Sequence, residues 1–131
     1  DKYGLPVDMD LIKLWDSNKG FASPPEEILK MKNPPTAYFT MHLNITVEMM
    51  KLFESAGKRI PDDLSIIGFH AIPTVELWKV PVTVIRQSPY DIGSESAKLL
   101  LETISSKSKK TKRIVLPCTF IERNSCGPPP S

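Results

Sequence analysis

The sequence predicts an α/β fold in which helices flank both faces of a parallel sheet. Three short runs rich in apolar and β-branched residues have the length of buried strands, at residues 37–40, 64–69 and 82–85. Segments with helical periodicity precede, separate or follow these runs. Because strands that alternate with helices build parallel sheets, these observations together predict the fold class.

The first helix is predicted at residues 23–32. Ser23 can cap it, a proline suits its first turn, and Glu26 completes a capping box with Ser23. The helix is expected to end before Asn33, because Pro34 and Pro35 follow and proline disfavours α geometry in the residue before it.

A longer helix is predicted at residues 43–56, with Gly57 as a left-handed C-cap. Helical spacing places two apolar stripes on different faces of this helix. One stripe contains Ile45, Met49, Leu52, Phe53 and Ala56, and the other contains Leu43, Val47 and Met50. A helix with two apolar faces usually packs against its own sheet and against a partner.

The last third of the chain is predicted to form one helix and two strands. Ser88 and Pro89 start a helix over residues 90–105 that directs Ile92, Leu99, Leu100 and Ile104 inward. The strands are expected at residues 114–116 and 119–123. Residues 126–130 contain three prolines, which excludes regular structure there.

Composition limits the classes of partner. The net charge of +2 does not indicate nucleic acid binding, and no apolar run approaches the ~18 residues that a membrane helix needs. Two cysteines, Cys118 and Cys126, match no zinc pattern and are expected to be reduced, as is usual in the cytoplasm.

Motifs of enzymes and cofactor sites are absent from the sequence. It lacks the glycine-rich phosphate loops, the nucleophile elbow and the zinc-protease motif, so neither catalysis nor a cofactor is expected. His42 and His70 follow predicted strands without a cysteine or carboxylate at metal-ligand spacing, which favours pocket lining over metal binding. Asp62 and Asp63 after Pro61 indicate a turn.

Several motifs in order resemble the effector-binding domain of LacI/GalR-type bacterial transcription regulators. The resemblance runs from about residue 4 to residue 130 and is carried by residues 35–39, 55–69, 81–87, 114–117 and 123–127. It implies a type I periplasmic-binding-protein-like clamp of two lobes, preceded by a DNA-binding helix-turn-helix.

The resemblance covers only the C-terminal portion of that effector-binding and dimerisation domain. It implies that residues 1–87 and 119–126 belong to the C-terminal lobe, while residues 88–118 would pack with the N-terminal lobe. The DNA-binding domain is absent from this chain. We therefore expect this portion to have an altered topology or to complete its sheet from a second copy.

The resemblance also implies positions for ligand binding. Trp15 matches an aromatic that stacks on a sugar face, and Gln87 matches a polar residue in the cleft. His42 stands where an asparagine is usual, and His70 stands where an aspartate is common. Since histidine pairs can favour anions, we expect a sugar phosphate or sugar acid. The alternative is a pocket that no longer binds a small molecule.

Four residues match positions where members of the family pair their C-terminal lobes: Val47, Met50, Leu77 and Trp78. They imply a homodimer, and the alternative is that Trp78 packs in its own core. The resulting hypothesis is a cytoplasmic, effector-sensing and dimerising module of a DNA-binding repressor. It would reach DNA only through the missing domain, and it has no membrane partner. The alternative is a solute-binding protein of a sugar transporter.

Overall fold

A computed structural model describes residues 4, 6–16, 18–69, 78–106 and 111–130. After a short 3-10 helix at Met9–Leu11, the hairpin strands are β1 (Trp15–Asp16) and β2 (Gly20–Phe21). The strands of the main sheet are β3 (Ala37–Thr40), β4 (Ser65–Phe69), β5 (Thr83–Arg86) and β6 (Thr119–Ile121). The helices are α1 (Glu26–Leu29), α2 (Leu43–Ser55) and α3 (Pro89–Ser106).

The main sheet has the strand order β3-β4-β5-β6. The first three strands are parallel, so the predicted α/β sheet is confirmed. Strand β6 adds to it in the antiparallel direction, with Val84 opposite Ile121. The sheet is therefore mixed and mostly parallel.

The core lies between α2 and one face of the sheet. Its buried apolar side chains are Met49, Phe53, Leu64, Ile66, Val82 and Val84. Each buried side chain of this size contributes roughly 1.5–3 kcal/mol to the free energy of unfolding. On the opposite face of the sheet, Phe39 and Phe120 remain exposed.

Helix α2 and its C-cap are confirmed. Gly57 has a φ of 68°, and its N–H donates to the Glu54 carbonyl at 3.0 Å. The N–H of Lys58 donates to the Phe53 carbonyl at 2.8 Å, which completes a Schellman motif. The buried residues of α2 are Thr46, Met49 and Phe53, so the first apolar stripe is the one that faces the sheet.

Helix α1 is shorter than predicted, and its expected capping box does not form. It spans four residues, its N-cap is Pro25, and no side chain caps it. A proline at the cap offers no side-chain acceptor. The helix ends in a tight turn, in which Lys30 and Met31 donate to the carbonyls of Glu27 and Ile28.

Helix α3 is confirmed, but its predicted inward face was wrong. None of its residues is buried; Leu100 is 61% exposed and Ile104 is 66% exposed. The strand predicted at residues 114–116 was also wrong, because residues 111–118 form no strand. Both patterns are apolar, but a strand needs a hydrogen-bonding neighbour and a helix face needs a packing surface. In the described part of the chain, residues 111–118 have no neighbouring strand, and they cover α3 only in part. No described helix is long and apolar enough to cross a membrane.

Candidate functional site

The carboxyl ends of β3, β4 and β5 lie at one edge of the sheet, as their parallel pairing requires. Such an edge is where open α/β sheets bind ligands. Phe39 and Phe69 meet there edge to face, with ring centroids 6.4 Å apart. The chain then leaves β3 through Met41 and His42 and enters α2.

The β1–β2 hairpin presents Trp15 to this edge. The Asp16 Oδ1 accepts hydrogen bonds from the N–H groups of Asn18 at 2.8 Å and of Lys19 at 3.0 Å, which shape the turn. Gly20 has a φ of 78°, a conformation that glycine adopts without strain. Trp15 is half-buried, and its ring stacks on His42 with centroids 5.6 Å apart and an interplanar angle of 21°.

His42 is the N-cap residue of α2. Its backbone is extended, and its Nδ1 accepts a hydrogen bond from the N–H of Asn44 at 3.3 Å. Its Nε2 has no hydrogen-bond partner among the described residues, and the side chain is exposed. The imidazole is therefore held by a hydrogen bond on one nitrogen and by Trp15 on one face.

The structure brings together two of the four predicted ligand-binding residues. Gln87 is half-buried and lies apart from them, in the lining of a cavity of about 590 Å³ between α3 and residues 111–118. Ile92, Leu99 and Ile114 line the same cavity. His70 lies outside the described residues.

Three of the four predicted dimer residues lie around one groove. Val47, Met50 and Trp78 line an open groove of about 610 Å³ on the outer side of α2, and Leu77 lies outside the described residues. Charged side chains also line it: Lys51, Glu54, Lys58, Arg59 and Lys79. Trp78 is half-buried and also packs against the core cluster, so one ring serves both the groove and the core.

Asp63 belongs to a turn at the end of this groove. Its Oδ2 accepts a hydrogen bond from the Arg59 N–H at 2.8 Å, and its Oδ1 lies 3.2 Å from the Arg59 Nη2. The side-chain and backbone hydrogen bonds from Arg59 lower the pKa of Asp63. The same pairing raises the pKa of Arg59. Asp63 thus stabilises the turn that the sequence predicts after Pro61.

Sequence reasoning missed two buried hydroxyls beneath the site. Thr40 ends β3 and Thr46 lies in the first turns of α2, and their Oγ1 atoms are 2.7 Å apart. Thr46 lies three residues before Met49 and seven before Phe53, which is the spacing of a buried helix face. That spacing could have shown that Thr46 is buried. A buried hydroxyl needs a hydrogen-bond partner, so a polar residue nearby was to be expected. The described residues contain no cluster of three or more potential metal ligands.

Comparison with known proteins identifies the family. The model of the periplasmic binding protein-like domain matches residues 7–126. The transcriptional regulator DegA of Bacillus subtilis is 30% identical over 98% of this chain and 38% of its own length. The ribose operon repressor of Halalkalibacterium halodurans is 38% identical over 58% of this chain and 23% of its own length.

Solved structures show the same relationship. A LacI family transcriptional regulator from Enterococcus faecalis with bound ribose superposes with a TM-score of 0.69 at 36% identity. The match covers 79% of this chain and 38% of that one. This chain thus spans well under half the length of these relatives. The resemblance to LacI-type regulators is confirmed, and the chain belongs to the periplasmic binding protein-like domain family.

Proposed function

We propose that this chain is the effector-sensing and dimerising module of a transcription repressor and binds a sugar or sugar-derived molecule beside His42. The observation that carries this proposal is the Trp15–His42 stack at the carboxyl edge of the sheet. An indole face packs well against the C–H face of a sugar ring, and a free imidazole nitrogen can hydrogen-bond its substituents. The ribose-bound relative supports the ligand class.

The effector carries a phosphate or a carboxylate in this proposal. By the resemblance to LacI-type regulators, His70 stands where an aspartate is common. An imidazole can donate a hydrogen bond to an anionic oxygen, whereas a carboxylate would repel it. Gln87 and His70 complete the pocket in the whole protein, where a second lobe would close over the sheet edge.

Calorimetry tests the pocket with ribose and ribose 5-phosphate as probes. We expect the phosphate to bind more tightly, and Trp15→Ala and His42→Ala each to weaken it by roughly tenfold or more. Tyr90→Ala is the matched control, because Tyr90 is an aromatic residue that is 83% exposed on α3. Tighter binding of ribose would overturn the anion preference. Failure of both probes, or binding unaffected by both pocket variants, would overturn the pocket.

The second part of the proposal places a homodimer contact in the groove of Val47, Met50 and Trp78, with Leu77 beside it. An apolar centre with charged residues around it has the layout of a protein interface, and in a symmetric dimer the same patch would contact itself. The dimer would bind DNA through a domain that this chain does not contain.

Sedimentation velocity tests the dimer contact. Val47→Lys should give a monomer, because it places a charge in the groove without touching the core cluster. Trp78→Lys should do the same, although it also disturbs the core. Val115→Lys is the control, since Val115 is an exposed apolar residue outside the groove. A dimer that survives Val47→Lys would refute the assignment.

The remaining parts of the proposal concern the whole protein. Residues 1–87 and 119–126 belong to one lobe and residues 88–118 pack with the other, which would bury the face that α3 exposes here. An effector that prefers one lobe arrangement would shift the population and so change DNA binding. We propose a cytoplasmic protein without catalytic activity or a cofactor. The relatives described above are regulators, which favours this function over a transporter component.

A further inference from the structure

We propose that the buried hydroxyl pair of Thr40 and Thr46 positions His42 against Trp15, and that Gly68 leaves room for this pair. Neither threonine would touch the effector, so both are positioning residues. The positioning of His42 by this pair is a structural claim. Its role in effector binding rests on the proposed function.

The pair closes the turn that carries His42. Thr40 and Thr46 are each 3% exposed, and their Oγ1 atoms lie 2.7 Å apart across the strand-to-helix connection. Two groups of Thr46 reach the carbonyl oxygen of His42: the backbone N–H at 3.0 Å and Oγ1 at 3.2 Å. The backbone of His42 is therefore held from the buried side.

The two hydroxyls share their hydrogen bonds, because together they have fewer protons than contacts. The Thr40 Oγ1 also lies 3.3 Å from the carbonyl oxygen of Ile67, so two protons serve three contacts. Either Thr40 donates to Thr46 and Thr46 donates to His42, or Thr46 donates to Thr40 and Thr40 donates to Ile67. In both arrangements the two hydroxyls are bonded to each other, so loss of either one removes the link between β3 and the first turns of α2, which carry His42.

Gly68 of β4 lies directly opposite Thr40 in the sheet. A Cβ at this position would lie 3.3 Å from the Thr46 Oγ1 and 3.7 Å from the Thr40 Oγ1. The first distance is shorter than an ordinary van der Waals contact, and it would press on the hydroxyl pair. Glycine in a strand interior usually marks a close approach, and here the close approach is that of the two hydroxyls.

The turn transmits this constraint to the ring. The His42 Nδ1 accepts from the Asn44 N–H, so a tilt of the first turn of α2 moves the imidazole with it. A stack with an interplanar angle of 21° changes when one ring tilts. The position of the Trp15 resonance in a labelled protein would therefore report on the hydroxyl pair.

Fluorine NMR of the whole chain labelled with 5-fluorotryptophan provides the test without any effector. The chain has two tryptophans, so Trp15→Phe assigns the Trp15 signal, and His42→Ala defines its position without the stack. We expect Thr46→Val to move the signal more than halfway to that position, whereas Thr46→Ser retains the wild-type signal. Gly68→Ala, which keeps both hydroxyls, should shift the signal in the same direction.

Val82→Ala is the control for a general loss of stability, since Val82 is fully buried in the core away from the hydroxyl pair. It should leave the Trp15 signal in place. A wild-type signal in folded Thr46→Val, or an equal shift in Val82→Ala, would overturn the inference. If Thr46→Val does not fold, a wild-type signal in Gly68→Ala overturns it. Failure of the sugar probes would leave these shifts unchanged and would refute the effector pocket alone.

Discussion

The buried Oγ of Ser125 accepts a hydrogen bond from the backbone N–H of Thr83 at 2.8 Å, although the two residues are 42 positions apart. The same Oγ donates to the carbonyl of Ile66 at 2.6 Å, and the Ser125 carbonyl accepts from the Ile66 N–H at 2.9 Å. Ser125 thus bridges β4 to the start of β5, and it fastens the C-terminal segment to the sheet that carries the candidate site.

Ser125→Ala should lower the free energy of unfolding by about 2 kcal/mol, because it leaves the Thr83 N–H buried without a partner. Urea denaturation measures the change. Ser55→Ala is the matched control, since the Ser55 hydroxyl bonds the Leu52 carbonyl on an exposed surface and its loss should cost less than about 0.5 kcal/mol. Equal effects of the two variants would contradict the bridging role.

Gly57→Ala and Gly93→Ala should change stability in opposite directions. Neither added Cβ would meet an atom within 4 Å, but Gly57 has a φ of 68°. Alanine at Gly57 should therefore cost about 1 kcal/mol of strain in chemical denaturation. At Gly93, inside α3, alanine should stabilise the helix by roughly 0.5–1 kcal/mol, measured by amide hydrogen exchange. If both variants changed stability in the same direction, the positive φ of Gly57 would not be the cause of its effect.

Stability should fall in acid partly through Asp63. The side-chain hydrogen bond from Arg59 lowers the pKa of Asp63, so the folded state holds this proton less tightly than the unfolded chain. The resulting stability is present above the unfolded pKa and is lost as the pH falls through the folded pKa. In thermal unfolding at several acidic pH values, Asp63→Asn should lose less stability than the wild type. Arg59→Gln should also flatten the profile, and an unchanged profile in both would contradict this origin.

Tyr38→Phe should raise the free energy of unfolding by about 1 kcal/mol. The Tyr38 hydroxyl is buried and has no hydrogen-bond partner in the described part of the chain, so its removal abolishes an unpaired polar group. The ring contact with Phe53, at 4.8 Å, remains available to phenylalanine. A loss of stability in Tyr38→Phe would show that the hydroxyl has a partner, such as a bound water.

Tyr38 should also contribute to a loss of stability in alkali. Burial raises its pKa above the ordinary 10.0, so the folded state retains the proton that the unfolded chain releases. This contribution is complete below pH 10.0 and is lost as the pH rises through the folded pKa. Melting curves from about pH 8 to about pH 11 should show a shallower alkaline decline for Tyr38→Phe than for the wild type. Parallel declines would contradict the raised pKa.

The elements that sequence predicted well are those with a local cause. Helix α2 has an apolar stripe, and Gly57 permits its Schellman motif. Two of the predictions that were wrong depend on a packing partner: residues 114–116 have strand composition, and Leu100 and Ile104 have the spacing of a buried face. Composition shows that such a segment can be buried, but it does not show which other segment would pack against it.

The sequence by itself determined the parallel strands, the helix that covers one of their faces, and the residue types that follow the strands. Residue type and apolar spacing within a few residues indicate the strands and the helix, and their alternation along the chain predicts the parallel order. Only the tertiary structure decided which distant side chains meet: Trp15 stacks on His42, while Gln87 lines a cavity beside α3. The pairing of Thr40 with Thr46 beneath Gly68 likewise depends on how β3, α2 and β4 pack. These residues are distant in sequence or belong to different elements, so local patterns do not show that they meet.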